Sequence, residues 1–123
     1  LALDPEQPTF ALALARIHTE QRDYVAALEV MDRAGAVARN ADFQALRAAV
    51  LQRLNRHGEA VEAYENAIRA GAHQANTWIG YGISLEVLGR RNEAAQAYRR
   101  ALNEGPIPAE LREYAENRAR ALQ

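Results

Sequence analysis

The chain has 123 residues, a formal net charge of −1 and no cysteine. That length supports one domain with its own core, while the absence of cysteine excludes a disulfide framework. The near-zero net charge provides no global field toward nucleic acid or anionic lipid. The residues are 49% hydrophobic but only 7% aromatic, and the abundance of Ala, Glu and Arg predicts an all-α fold.

The first predicted helical pair occupies residues 8–40. Pro8 suits the first position of a helix, because the amide hydrogen that proline lacks has no partner there. Apolar residues then recur at helical spacing, at Ala11, Leu14, Ala15 and Ile17. A second stripe predicts the second helix and consists of Tyr24, Ala27, Leu28, Met31 and Ala34. Gly35 favours an early end for that helix.

Two further pairs are predicted at residues 41–74 and 75–108. Asn40 is a suitable N-cap for the helix that carries Phe43 and Leu51. In the last pair, helices are predicted from about residue 75 to 88 and from about residue 92 to 103. Gly89 lies between them, where a positive φ ends a helix most easily.

A final helix is predicted from Ala109 to about Leu122. Its apolar stripe consists of Leu111, Tyr114, Ala115, Ala119 and Leu122. Its other side carries Glu110, Glu113, Glu116, Asn117 and Arg120. One apolar and one polar side are typical of a helix that closes the end of a helical array.

A repeat near 34 residues links the three pairs. The second helix of the middle pair carries Ala60, Tyr64 and Ala67. The equivalent residues lie 33 positions earlier, at Ala27, Met31 and Ala34, and 34 positions later, at Ala94, Tyr98 and Ala101. The last pair is in register with the pattern W-x2-L-G-x2-Y, then A-x3-F, then Ala and Pro. The matching positions hold Trp78, Tyr81, Gly82, Leu85, Ala94, Tyr98, Ala101 and Pro106, so that Tyr81 replaces the Leu, Leu85 replaces the Tyr and Tyr98 replaces the Phe. The chain therefore resembles the tetratricopeptide repeat (TPR) family.

This resemblance implies a right-handed superhelix of helix-turn-helix repeats, an α-solenoid. The three repeats are residues 8–40, 41–74 and 75–108, and residues 109–123 form a capping helix. Residues 1–7 are then the end of a truncated upstream repeat or a linker. Each repeat leaves an apolar face that only its neighbour covers, so stacking supplies the stability. Trp78 is expected in the core.

The resemblance also implies a partner-binding site on the concave side of the array, called here the concave groove. Its expected residues lie on the first helix of each repeat and are Leu12, Arg16, Ala45, Ala49, Gln52, Arg53, Asn76, Ile79, Ile83, Glu86 and Val87. Ile79, Ile83 and Val87 form an apolar strip that the core does not require, and Arg16 and Arg53 suit an acidic group at its edge. A peptide or an amphipathic helix fits such a surface. Two alternatives are that an upstream part of the same protein, or a second copy, covers the strip.

Residues for chemistry are few, so an enzyme is not expected. Ser84 lacks a Gly-x-Ser-x-Gly context. His18, His57 and His73 have no second ligand at i+3 or i+4, which predicts no metal site and no cofactor. Arg90–Arg91 and Arg99–Arg100 lack interleaved aromatic residues, so nucleic-acid binding is not expected. No apolar run is long enough to span a membrane, so this fragment is expected to make no membrane contact.

A narrower resemblance covers roughly residues 78–122. This stretch is similar to the C-terminal TPR region of pilus-biogenesis proteins of the mannose-sensitive haemagglutinin (MSHA) type. The resemblance implies a scaffold in a bacterial type IV pilus or secretion apparatus, at the periplasmic face of the inner membrane; the cytoplasm is the alternative. All 15 basic residues are Arg, which indicates GC-rich, bacterial coding. The alternative function is a self-association module, and a homodimer stays open.

Overall fold

The computed structural model of the protein describes residues 8–34 and 40–122. Within these residues it contains seven helices and no strand, so the predicted all-α fold is confirmed. The helices are α1 (Pro8–Glu20), α2 (Tyr24–Ala34), α3 (Ala41–Arg53), α4 (His57–Arg69), α5 (Ala75–Val87), α6 (Arg91–Leu102) and α7 (Ala109–Ala121). The predictions for residues 1–7, for a helix end near Gly35 and for Gln123 lie outside the described residues.

The helices pack as successive pairs. α1 with α2, α3 with α4, and α5 with α6 fall within the three predicted repeats, and α7 packs on α6. The first helices also contact one another, α1 with α3 and α3 with α5. In the described part of the chain, the second helices α2, α4 and α6 make no comparable contact among themselves. An array with one row of helices in contact and the other row spread must curve, so α1, α3 and α5 line its concave side.

The turn inside each repeat uses one residue with positive φ at the same register. Arg22 has φ 61°, Asn55 has φ 60° and Gly89 has φ 78°. Gly and Asn adopt this conformation readily, whereas Arg does so at some cost. A backbone N–H then bonds the carbonyl five residues back in each turn, from Asp23 to His18, Arg56 to Leu51 and Arg90 to Leu85. Gly71 and Gly105 have positive φ after α4 and α6.

Helix α5 is the most enclosed part of the array. Tyr64 of α4 packs on one of its sides and Tyr98 of α6 on the other, and both rings are buried. Each ring faces a glycine, Gly80 or Gly82, and a Cβ at either position would collide with the ring. The two glycines therefore let α5 approach its neighbours closely.

Three expectations about the core need correction. Ile17 is 49% exposed, because no described helix covers its side of α1. Trp78 is only partly buried and packs at the edge of the second core cluster. On α7, Ala115, Ala119 and Leu122 are buried as predicted, but Leu111 and Tyr114 are 37% and 40% exposed. Among residues 8–34 and 40–122, no helix combines the length and apolarity that crossing a membrane requires.

Candidate functional site

The concave side of the array contains a cleft of about 350 Å³. Helices α1, α3 and α5 all contribute to it, because these are the helices that touch along the inside of the curve. Its walls include four of the residues expected in the concave groove, from three different helices: Arg16, Ala45, Ala49 and Asn76. Asp42, Leu46, Tyr64, Gln74 and Thr77 complete the lining.

The charged groups of this cleft are available for a partner. Arg16 and Asp42 are both exposed, and neither forms an ion pair with any residue in the described ranges. Asn76 is also exposed, and its side-chain amide has two donor hydrogens and one acceptor oxygen. The cleft thus offers a cation, an anion and an amide within one concavity.

The floor of the cleft is made of small residues. Ala45 and Ala49 lie one turn apart on α3 and are partly exposed, so each contributes only a methyl group to the surface. Between the charged residues there is consequently room for a bound backbone or a modest side chain. This is the geometry in which polar groups orient a ligand and apolar contact supplies affinity.

The expected apolar strip on α5 is largely absent from the surface. Ile79 is 4% exposed and belongs to the second core cluster, with Ala94 and Tyr98 among its members. Ile83 is partly buried against the same cluster, and only Val87, at 60% exposure, is open to a partner. The predicted strip is not exposed, because the neighbouring repeats and the capping helix cover α5 from both sides.

Gln52, expected in the groove, instead forms part of the contact between the second and third repeats. Its Nε2 donates to the carbonyl oxygen of Gly80 at 2.6 Å and to Oγ of Ser84 at 2.8 Å. Its Oε1 accepts from the Tyr64 hydroxyl at 3.4 Å. Gln52 therefore joins α3, α4 and α5 rather than a partner.

His57, at the start of α4, also reaches this network. Its Nδ1 lies 3.0 Å from Oγ of Ser84, which brings a histidine and a serine together. Ser84 is 0% exposed, however, and Gln52 already bonds its hydroxyl. A nucleophile must meet its substrate, so this pair is an element of packing rather than a catalytic site.

Glu86, expected in the groove, is likewise occupied inside the fold. Arg118 of α7 forms two hydrogen bonds with the Glu86 carboxylate, and the Tyr98 hydroxyl donates to it at 3.0 Å. The bonds to Glu86 raise the pKa of Arg118 above its ordinary value. Tyr114 packs edge-on against Tyr98 with ring centroids 5.9 Å apart. These contacts fix α7 to the end of the array.

The remaining expected residues lie outside the cleft. Leu12 is partly buried against the first core cluster. Arg53 is exposed at the end of α3 and has no ion-pair partner among the described residues, so it remains able to bind an acidic group beyond the cleft. In the described part of the chain, no cluster of His, Asp and Glu is suited to a metal ion.

A second and larger cleft lies on the outer side of the array, between α4, α5 and α6. Its volume is about 530 Å³, and Trp78 and Tyr81 line it together with residues of the two second helices. Sequence reasoning misses this outer cleft, because it results from the separation of α4 and α6 and not from a motif.

Comparison with known proteins decides the family. Residues 1–50 match one tetratricopeptide repeat family model, and residues 46–109, more than half of the chain, match another. The chain belongs to the tetratricopeptide repeat family. TPR domains are in general non-catalytic protein-interaction modules. No curated protein sequence matches it.

Solved TPR structures share the superhelical fold of the chain. The first TPR domain of human RPAP3 has a TM-score of 0.80 and 20% identity, covering 97% of this chain and 94% of that one. The first TPR of Spaghetti (RPAP3), bound to the HSP90 peptide SRMEEVD, has a TM-score of 0.82 and 19% identity, covering 98% and 96%. The Yersinia enterocolitica type III secretion chaperone SycD, in complex with a peptide of the translocator YopD, has a TM-score of 0.78 and 17% identity, covering 91% and 88%.

Proposed function

We propose that this TPR array binds a peptide or a helix of a partner protein in its concave groove. The observation that carries the proposal is the 350 Å³ cleft in which Arg16, Asp42 and Asn76, from α1, α3 and α5, surround a floor of alanines. Three separate helices contribute unpaired polar groups to one concavity that the fold itself does not fill. An enzyme is not proposed, because Ser84 is buried and the described residues contain no cluster of His, Asp and Glu suited to a metal ion.

The ligand that fits the cleft best is an extended segment with both a polar backbone and charged side chains. The Asn76 amide can donate to and accept from a peptide backbone, and Arg16 suits a carboxylate of the partner. Asp42 favours a cationic side chain nearby, so the partner segment carries charges of both signs. The alanine floor admits a side chain of modest size between them.

Two structural neighbours support a peptide as the ligand class. The Spaghetti domain is described with an HSP90 peptide, and SycD with a peptide of YopD. Those ligands belong to those proteins, since identities of 19% and 17% show the fold alone. What the neighbours contribute is that superhelices with the same fold bind peptides of partner proteins.

The wider setting that we propose is assembly of a bacterial type IV pilus or secretion apparatus. It rests on the resemblance of residues 78–122 to MSHA-type pilus-biogenesis proteins, and the comparisons do not extend to that family. The secretion chaperones SycD and PcrH among the structural neighbours are compatible with such a setting. The periplasmic face of the inner membrane would then be the location.

Self-association is the second candidate, and exposed apolar side chains of the first repeat favour it. Ile17 and Val25 are 49% and 57% exposed. A SycD structure is described as an alternative dimer, so TPR arrays of this shape also pair with copies of themselves. The two candidates differ in which surface a bound protein covers.

A pull-down from a bacterial lysate, read by mass spectrometry, tests the groove. The variant Ala49→Arg fills the floor of the cleft with a long charged side chain, whereas Ala109→Arg makes the same change at an exposed position of α7. Circular dichroism first establishes that both variants are folded. We expect partners retained by wild type and Ala109→Arg to be lost from Ala49→Arg.

The identity and pattern of the captured proteins decide between the proposals. Pilus or secretion components among the lost partners support the proposed setting, and their absence from that group contradicts it. A partner that Ala49→Arg retains contradicts binding in the groove. Recovery of a differently tagged copy of the chain alone favours self-association.

A further inference from the structure

The outer cleft has the size and composition of a binding site. Its volume of about 530 Å³ lies within the range of about 300–1,000 Å³ typical of ligand pockets. It opens between α4 and α6 because the curvature of the array spreads the second helices, and α5 supplies its floor. This surface is opposite the concave groove, so an occupant of one does not displace an occupant of the other.

The floor of the outer cleft is aromatic. The Trp78 and Tyr81 ring centroids are 6.1 Å apart, and both residues are partly exposed. The guanidinium carbon of Arg100 lies 4.9 Å from the centroid of the Trp78 ring, in a cation–π contact. An apolar side chain of a ligand could therefore pack on the rings beside a cation.

The carboxylates around the outer cleft already have partners within the fold. Glu65 accepts a hydrogen bond from the Tyr81 hydroxyl at 3.0 Å. Glu93 accepts two bonds from Arg90, at 2.9 and 2.6 Å, and these bonds hold the pKa of Glu93 below its usual range. Arg90 thus neutralises Glu93, whereas Glu65 is bonded only by a neutral phenol and leaves one negative charge in the lining, against the two arginines.

The arginines of the outer cleft form only weak contacts within the fold. Arg69 donates to the neutral amide of Asn66 at 2.5 Å and has no ion pair among the described residues. Arg100 pairs with Glu104 at 3.3 Å, but this i,i+4 pair is exposed and such pairs contribute little. Two guanidinium groups are thus available to a carboxylate, which they bind through parallel hydrogen bonds.

We propose that the outer cleft binds an acidic segment of a partner protein, in which a carboxylate lies next to an aliphatic side chain. The carboxylate binds Arg69 and Arg100, and the aliphatic side chain packs on Trp78. This site is separate from the concave groove and gives the array a second, outward-facing contact. A scaffold with two such surfaces can hold two segments at the same time.

The chain itself supplies the probe for a test, because Trp78 is its only tryptophan. A short acetylated peptide of alternating aspartate and leucine is titrated into the protein while the emission of Trp78 is followed. The control peptide has lysine in place of aspartate. We expect a saturable change of emission with the acidic peptide and none with the basic peptide.

Variants then locate the peptide. Arg69→Gln removes one cation from the outer cleft, and we expect it to weaken the acidic peptide about tenfold, which corresponds to the loss of one charge-assisted hydrogen bond. Arg99→Gln is the matched control, since it removes an exposed arginine of α6 that does not line the cleft. Ala49→Arg, which closes the concave groove, should leave the titration unchanged and so separates the two proposals.

Four results of the peptide titrations would overturn the proposal. The first is that Trp78 emission shows no saturable change with the acidic peptide, and the second is that the basic peptide binds equally well. The third is that Arg69→Gln binds the acidic peptide with wild-type affinity, and the fourth is that Ala49→Arg does not bind it. A change of emission on raising the concentration of the protein alone would also overturn it, because a second copy would then be the occupant. The proposal is supported if Arg99→Gln binds the acidic peptide like wild type while Arg69→Gln binds it more weakly.

Discussion

The two sides of α5 solve the same packing problem by different means. On each side, a tyrosine from a second helix packs against a glycine, Tyr64 against Gly80 and Tyr98 against Gly82. The two tyrosines occupy equivalent positions, 34 residues apart in the sequence. The contacts nevertheless differ in how tightly the ring meets the helix and in what the hydroxyl bonds.

Steric fit dominates the contact between the second and third repeats. A Cβ at Gly80 would overlap the Tyr64 hydroxyl and lie 2.6 Å from Cζ, whereas a Cβ at Gly82 would lie 2.9 Å from Cε1 of Tyr98. The Tyr64 hydroxyl makes only a long bond to the neutral Gln52, at 3.4 Å. The fit of ring to backbone is therefore what defines this internal contact.

A hydrogen-bond network dominates between the third repeat and the cap. The Tyr98 hydroxyl donates to the Glu86 carboxylate at 3.0 Å, and the same carboxylate binds Arg118 of α7. The difference shows that an internal contact relies on shape, because helices on both sides hold it. The last contact has only α7 beyond it and uses a charged network to fix that helix.

The largest expected effect comes from the glycines. Gly80→Ala should destabilise the protein by about 2 kcal/mol. Overpacking against the buried ring costs about 3 kcal/mol, and the higher helix propensity of alanine offsets about 1 kcal/mol of that loss. Gly82→Ala should cost about 1 kcal/mol, because a Cβ 2.9 Å from Cε1 of the buried Tyr98 ring still requires the ring to shift, although less than Tyr64 would at Gly80, and the propensity gain is the same. Urea denaturation at neutral pH measures both.

Equal losses for the two glycine variants would contradict the steric distinction. The double variant Gly80→Ala with Tyr64→Leu provides a control, because it removes the atoms with which the Cβ collides. In that background we expect the added methyl to be close to neutral or stabilising, as at an ordinary exposed-backbone glycine of a helix.

The sequence predicts the backbone of this array well and its side-chain partners poorly. The 34-residue spacing locates α5 and α6 to within one residue, and Gly89 has the positive φ expected between them. These features depend on local chemistry, since helix ends need particular residues. Asn40 caps α3 for the same reason, and its side chain accepts from the amides of Asp42 and Phe43.

Groove residues are harder to predict, because a position in a repeat does not reveal what its side chain meets. Arg16, Ala45, Ala49 and Asn76 follow from register and line the cleft together, although their role as a binding site stays a prediction. Gln52, Ile79 and Glu86 follow from the same register and are held inside the fold. What occupies them depends on residues distant in sequence, such as Arg118 for Glu86, 32 positions away.

The hydroxyl groups provide the next test of the comparison. Tyr98→Phe should destabilise by about 1.5 kcal/mol, because it removes a bond to a charged acceptor, while Tyr64→Phe should cost about 0.5, since its bond is long and the acceptor is neutral. Chemical denaturation at pH 7 gives both values. If Tyr64→Phe proved the more damaging variant, the assignment of the network to the cap contact would be wrong.

A double-mutant cycle with Glu86→Leu extends this test, because leucine has no acceptor for the Tyr98 hydroxyl. Tyr98→Phe should lose most of its effect when Glu86 is already replaced, because the two groups act through one hydrogen bond. Tyr64→Phe should keep its full effect in the same background. Additive effects of Tyr98→Phe and Glu86→Leu would show that the hydroxyl contributes by some other contact.

Alkaline pH offers the smallest and most specific distinction. Burial raises the pKa of Tyr64 from 10.0 to about 12 and raises that of Tyr98 as well, where hydrogen bonding with Tyr114 and Glu86 adds to the effect of burial. The folded state thus favours the protonated phenol, so its contribution is complete below about pH 10 and is lost as the pH rises toward the folded-state pKa. Between about pH 9 and pH 10.5, each tyrosine should reduce stability by about 0.8 kcal/mol, because at those values only the unfolded state ionises appreciably.

Unlike the neutral-pH test, this loss should be equal for the two tyrosines. Tyr64→Phe and Tyr98→Phe should each lose less unfolding free energy than wild type between about pH 9 and pH 10.5, and by the same amount, although their effects at pH 7 differ. Denaturation curves of wild type and both variants at the two pH values measure the decrement as a difference, which cancels the contribution of other groups. A Tyr64→Phe variant with the full wild-type decrement would mean that the buried ring ionises as readily folded as unfolded, and the close packing of Tyr64 on Gly80 would not persist in solution.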